Sequence, residues 1–143
     1  MSRDPNCVFC SIIAGDIPAS VVFENEGVLA FLDVGPLSEG HVLVIPRQHY
    51  ERVVDMPGPA LAEIAIALPK LGRALLKVTK VQAFNVLVNN GEVAGQVVPH
   101  VHFHLIPRLP GDGLGYRWNA GSYESGRIDE LAAAYQAALG AQA

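Results

Sequence analysis

The stretch Pro99-His100-Val101-His102-Phe103-His104-Leu105-Ile106-Pro107-Arg108 alternates imidazole and apolar side chains between two prolines. Successive side chains of a β-strand point to opposite faces. A strand over about 101–106 would therefore line up His100, His102 and His104 on one face, about 7 Å apart. Val101, Phe103 and Leu105 would turn to the other face, into a core. Three of the five histidines of the chain fall in this one run, which sets it apart from an ordinary polar sheet face. A row of imidazoles suits metal binding, or nucleophilic and proton chemistry near neutral pH.

Working outward, the neighbouring segments read as partners for that strand. Ser20–Glu24 and Val28–Leu32 are short β-like runs split by Asn25-Glu26-Gly27, a hairpin turn. His41–Ile45 is a third strand, ended by Pro46. Ala83–Val88 is a fourth, closed by Asn89-Asn90-Gly91. Between them, Ala60–Val78 carries apolar residues at 61, 64, 68, 71, 75 and 78, the pattern of the main helix. Pro69 is expected to kink or split it. Residues 7–14 form a short helix ended by Gly15 and a turn at Pro18. Residues 110–115 are a glycine-rich loop, and the last helix lies near Ile128–Leu139 with an acidic first turn. The expected class is α+β, a five-stranded antiparallel sheet with one main helix.

The length of 143 residues fits a single domain over 1–143. Half of the residues are hydrophobic and 17% charged, which excludes general disorder. A net charge of −4 argues against a nucleic-acid backbone as partner, though not against one small phosphate ester. No segment is long and apolar enough to span a membrane, and the N-terminus has no apolar signal core, so the cytoplasm is the expected location. The two cysteines form Cys7-x-x-Cys10. In a reducing compartment the pair reads as metal ligands or as redox thiols. A thioredoxin-type motif would need a βαβ setting that the pattern does not offer.

These residues together resemble the histidine-triad (HIT) family, closest to its bacterial nucleotide-binding branch. The resemblance rests on Ala94-Gly95-Gln96-Val97-Val98-Pro99 leading into the triad, on Cys7-Val8-Phe9-Cys10-Ser11-Ile12-Ile13, and on Ile17-Pro18. It also rests on Ala30-Phe31-Leu32-Asp33, Gly40-His41-Val42-Leu43-Val44-Ile45-Pro46-Arg47-Gln48-His49 and Asn89-Asn90-Gly91. It covers about residues 7–108, with 109–143 as a C-terminal tail and helix.

The resemblance implies a homodimer whose sheets join across the two-fold axis, acting on a purine nucleotide of the AMP or GMP type. The implied reaction is cleavage of a nucleoside phosphoramidate or related conjugate through a nucleotidyl-histidine intermediate. His102 is then the nucleophile, His104 a hydrogen-bonding partner of the α-phosphate or the leaving group, and His41 a supporting residue. Gly95, Gln96 and Asn89 would hold the phosphate or ribose side, and Asp33 the ribose hydroxyls. Val8, Phe9, Ile12, Phe31, Val34 and Leu43 would wall the base. Val97 stands where the family often has a small hydroxyl residue, so only its backbone N–H is offered to a phosphate. A related ligand set in galactose-1-phosphate uridylyltransferases and some bacterial members implies a structural zinc on Cys7, Cys10, His49 and His100.

Two other functions fit the same resemblance: dinucleoside polyphosphate hydrolysis, and a nucleotide sensor with incidental catalysis. Tyr116 and Trp118 could reach a partner's site or lie as surface aromatics.

Overall fold

Asn25 turns the chain between the first two strands: its side-chain oxygen accepts the Gly27 and Val28 N–H groups at 2.9 and 2.8 Å. In the computed structural model, which describes residues 3–115 and 120–142, this turn joins β1 (Val21–Glu24) to β2 (Val28–Leu32). β3 (Val42–Pro46), β4 (Ala83–Val88) and β5 (Phe103–Arg108) complete a five-stranded antiparallel sheet in the order β1-β2-β3-β5-β4. The helices are α1 (Val8–Ile13), α2 (Gly58–Thr79) and α3 (Arg127–Gly140). The architecture is the expected α+β sheet. No described helix is long and apolar enough to cross a membrane.

The chain divides into two compact units, Met1–Gly113 and Leu114–Ala143. The first holds the sheet, α1 and α2. The second holds α3, whose first turn carries Asp129 and Glu130 and none of whose residues is buried. Tyr116 and Trp118 lie outside the described residues.

The period of two divides the sheet into two faces. Val28, Ala30, Val42, Val44, Phe103 and Leu105 pack with Ile64, Ala67, Leu71 and Leu75 of α2. Leu29, Phe31, Leu43 and Ile45 point the other way and pack with Cys7, Phe9 and Cys10 around α1. His104 lies between Phe103 and Leu105 on β5, so the same alternation places it on the α1 face.

Three expectations need correction. The first concerns β5, which begins at Phe103 rather than Val101, so His100 and His102 precede the strand. The Val101 N–H is taken by the Tyr50 carbonyl at 2.8 Å, outside any ladder. The alternation itself extends past the strand end: Val101, Phe103 and Leu105 lie in the core beside α2, while Phe9 of α1 meets His100 and His102, and His104 stands beside His102. Secondly, His41 also precedes its strand, since β3 starts at Val42. Finally, Pro69 does not split α2. The ring is exposed, as is Ala65, whose carbonyl loses its helical partner, so water can satisfy that carbonyl.

Candidate active site and metal centre

The side chains of Cys7, Cys10, His49 and His100 converge, with one ligand atom from each lying within 4.8 Å of the others. Cys7 supplies the N-cap of α1, and Cys10 follows one turn later, so the helix itself sets the sulfur pair. His49 comes from the segment after β3, and His100 from the segment before β5. His100 Nδ1 lies 3.5 Å from Cys7 Sγ, 3.6 Å from Cys10 Sγ and 3.2 Å from His49 Nδ1. His49 Nδ1 lies 3.4 Å from Cys10 Sγ.

A tetrahedral zinc ion with bonds of about 2.3 Å to sulfur and about 2.0–2.1 Å to nitrogen sets ligand separations near 3.5 Å for S···N and 3.3 Å for N···N. The three S···N distances from His100 and His49 and the N···N distance between them match those separations. The protonation pattern agrees. His100 Nε2 faces the Pro46 carbonyl at 2.9 Å and must donate to it, which leaves Nδ1 as a lone pair aimed into the cluster. Burial pushes His100 down to about 4 and so holds the ring neutral. Burial also pushes the Cys7 thiol up, so a thiolate there calls for a cation. The donor set fits zinc.

His100 also carries the second part of the site. Its carbonyl accepts the Nδ1–H of His102 at 2.8 Å. That bond fixes the tautomer of His102 and leaves its Nε2 as the free lone pair. The ring is buried, and burial holds its pKa below the ordinary histidine value, in the neutral form. Phe9 of α1 meets it edge-on, with ring centroids 5.1 Å apart. The His104 ring stands beside it, at 4.9 Å between centroids.

A second chain of hydrogen bonds ends at His104. The Leu37 N–H donates to His41 Nδ1 at 3.1 Å, so His41 carries its proton on Nε2. That proton reaches His104 Nδ1 at 3.0 Å, which puts the His104 proton on its own Nε2. Among the described residues, this buried Nε2 has no hydrogen-bond partner. Burial holds His41 neutral, and burial, with the unfavourable electrostatics of packing beside the His102 and His41 rings, pushes His104 down to about 4. A nucleophilic nitrogen and an unmatched donor thus stand side by side. This pairing suits an oxyanion or a leaving group.

Asp33 borders the relay. One oxygen accepts the Gly35 N–H at 2.8 Å, and the other lies 3.7 Å from His41 Nδ1. The 89–98 loop is held by hydrogen bonds of its own. Gln96 uses its side chain to close the loop, donating to the Glu51 and Val98 carbonyls at 2.7 and 3.0 Å and accepting from the Gly91 N–H at 2.8 Å. Asn89 reaches the Gly95 carbonyl at 3.4 Å, and Gly95 holds a φ of +103° that only glycine adopts readily. A cavity of about 540 Å³ opens beside Gly91, Gly95, Gln96 and Val97, and Val97 is 88% exposed. Among the apolar residues expected to line a base, Phe9, Phe31 and Leu43 are buried and Ile12 half-buried, whereas Val8 and Val34 are exposed.

Sequence reading does not reach the partners that set the ring protons. They are the carbonyls of Pro46 and His100, which every residue type offers, and the N–H of Leu37, which every type but proline offers.

The HIT domain model matches residues 14–111. An uncharacterised HIT-like protein of Methanocaldococcus jannaschii is 51% identical over 107 residues, 75% of this chain and 82% of that protein. An adenosine 5′-monophosphoramidase of Candida albicans is 38% identical over 136 residues, 92% of this chain and 90% of that one. A zinc-bound histidine triad family protein of Mycobacterium smegmatis superposes with a TM-score of 0.73 at 36% identity, covering 94% of this chain and 97% of that one. Extent of match, shared fold and the clustered histidines agree, and the chain belongs to the histidine-triad (HIT) family.

Proposed function

We propose that the protein is a nucleotide hydrolase that cleaves purine nucleoside phosphoramidates and related AMP conjugates through a covalent intermediate on His102. The observation that carries this reading is the Nδ1–H bond of His102 to the His100 carbonyl, which leaves Nε2 free beside the unmatched His104 donor. The monophosphoramidase name of a relative matching nine tenths of the chain supports the substrate class.

His102 Nε2 forms a bond to the α-phosphorus as the bond from phosphorus to the leaving nitrogen breaks, and that nitrogen takes up a proton from solvent and departs as the amine. Water then displaces His102 and releases the nucleoside monophosphate. Dividing one displacement into two is the gain of covalent catalysis. His104 Nε2–H faces the charge that develops on the phosphoryl oxygens or the leaving group. Asp33 takes the ribose hydroxyls, and the turn around Gly95, Gln96 and Asn89 borders the phosphate with backbone N–H groups. Cys7, Cys10, His49 and His100 would hold a structural zinc ion, which links α1 and the segment after β3 to the residue that orients His102. The zinc-bound relative supports that assignment. The open edge of β4, with Val86 half exposed, suits a homodimer joined sheet to sheet.

The test is His102→Asn, with rapid quenching and mass spectrometry of the protein. Wild type should accumulate an acid-labile nucleotidyl adduct from an adenosine 5′-phosphoramidate and turn it over. The variant should fold and bind AMP, form no adduct, and lose at least about a thousandfold in kcat. An adduct in His102→Asn, or full turnover by it, refutes the reading.

A further inference from the structure

The His41–His104 pair can stand in two protonation patterns of equal charge. In one, His41 carries its proton on Nε2 and His104 presents an N–H into the site. In the other, His41 carries it on Nδ1, facing the Asp33 carboxylate 3.7 Å away, and His104 presents a lone pair instead. Only the first gives a donor to a phosphoryl oxygen or leaving group. Coulomb attraction from Asp33 favours the second. The group opposing it is the Leu37 N–H, which donates to His41 Nδ1 at 3.1 Å. That N–H belongs to an exposed loop, and the Leu37 side chain itself is exposed. Something must hold the loop in place.

The loop is tied by Ser38. Its hydroxyl donates to the Pro107 carbonyl of β5 at 2.7 Å, and its own carbonyl accepts the His41 N–H at 3.1 Å. The paired register of β3 with β5 ends at Val42 and Leu105, so the hydroxyl makes the next tie between this loop and the strand that bears His104. Ser38 is half-buried, in a loop whose neighbours Gly35, Pro36, Leu37 and Glu39 are all exposed.

We propose that Ser38 is a positioning residue for the hydrolytic reaction: by clamping the loop to Pro107 it presents the Leu37 N–H to His41 and so keeps His104 as a hydrogen-bond donor. Ser38 touches neither substrate nor the reacting atoms and acts through two other residues. The catalytic consequence rests on the hydrolase reading given above; the proton pattern does not.

The experiment is ¹⁵N NMR of the ring nitrogens in wild type, Ser38→Ala and Ser38→Thr, all metal-replete, alongside steady-state kinetics on an adenosine 5′-phosphoramidate. Wild type should show protons on Nε2 of both His41 and His104. Ser38→Ala should move a measurable fraction of His41 to the Nδ1–H form, with His104 following. Its kcat should fall about tenfold with KM within about twofold, less than the loss on deleting a whole donor. Ser38→Thr, which keeps the hydroxyl, should restore both readouts. A wild-type His41 protonated on Nδ1 overturns the proposal without any variant, as does an unchanged ring pattern in folded Ser38→Ala. If Ser38→Ala does not fold, Ser38→Thr decides: a pattern unlike wild type overturns the proposal. A wild type that does not hydrolyse the phosphoramidate counts against the hydrolase reading alone, since the ring nitrogens still report on Ser38.

Discussion

His104 shows how one buried ring links function to stability. It is held near a pKa of about 4, first by burial and then by electrostatic repulsion that a charged ring would meet from His102 and His41. In the unfolded chain a histidine titrates near 6.5. The unfolded state therefore binds the extra proton first. The contribution to stability is complete above about pH 6.5 and is lost progressively as pH falls through about 4. Urea midpoints of wild type should drop over that window. His104→Gln, which has no ring to protonate, should lose measurably less over the same range. Equal slopes for the two proteins would show that the ring is already charged in the fold. Because the ring is neutral at pH 7 it carries a single proton, and the His41 hydrogen bond to Nδ1 decides that Nε2 holds it.

At the scale of the element, α2 sets local propensity against packing. Proline inside a helix removes one backbone bond and costs about 3 kcal/mol. Pro69 nevertheless lies within an unbroken helix, because Ile64, Ala67, Leu71 and Leu75 bury a continuous stripe against the sheet on both sides of it. With the ring exposed, Pro69→Ala restores the bond to the Ala65 carbonyl without disturbing the core. Chemical denaturation should find the variant more stable by about 1–3 kcal/mol; a loss of stability would mean that the ring makes a contact worth more than the bond it removes. Pro69 also marks the limit of local reading. The Asn25-Glu26-Gly27 turn and the alternation in β2 and β3 were legible because their causes lie within a few residues. The start of β5 was not, because the Tyr50 carbonyl that captures the Val101 N–H is 51 positions away in sequence. At the site, the side chains that converge could be picked from the sequence, whereas the direction of each ring proton depends on the backbone atoms of Leu37, Pro46 and His100.

At the scale of the molecule, the cysteine–histidine cluster closes the long loops of the first unit. Cys7 and His100 are separated by 93 positions, and His49 lies 39 from Cys10 and 51 from His100. One ion held by all four would join the N-terminal helix, the segment after β3 and the approach to β5, and the unfolded chain has no such preformed site. Binding that favours the folded state adds about 2.7 kcal/mol when free ion stands at a hundred times its Kd. Elemental analysis of protein purified without chelator should find about one zinc per chain. Stripping the ion should lower the thermal midpoint by several degrees, reversibly on adding zinc, as a change of that size requires in a small domain. Cys7→Ser should retain well under half of the metal and share the lowered midpoint. His100 joins this cross-link to the chemistry, because its ring faces the sulfur atoms while its carbonyl orients His102. Metal loss should therefore reduce phosphoramidate turnover as well as stability, and more than it reduces AMP binding, which the proposed reading assigns to Asp33 and the 89–98 loop. Protein that holds no zinc when isolated, and whose midpoint does not move with either chelator or zinc, would leave the four side chains without the role assigned to them.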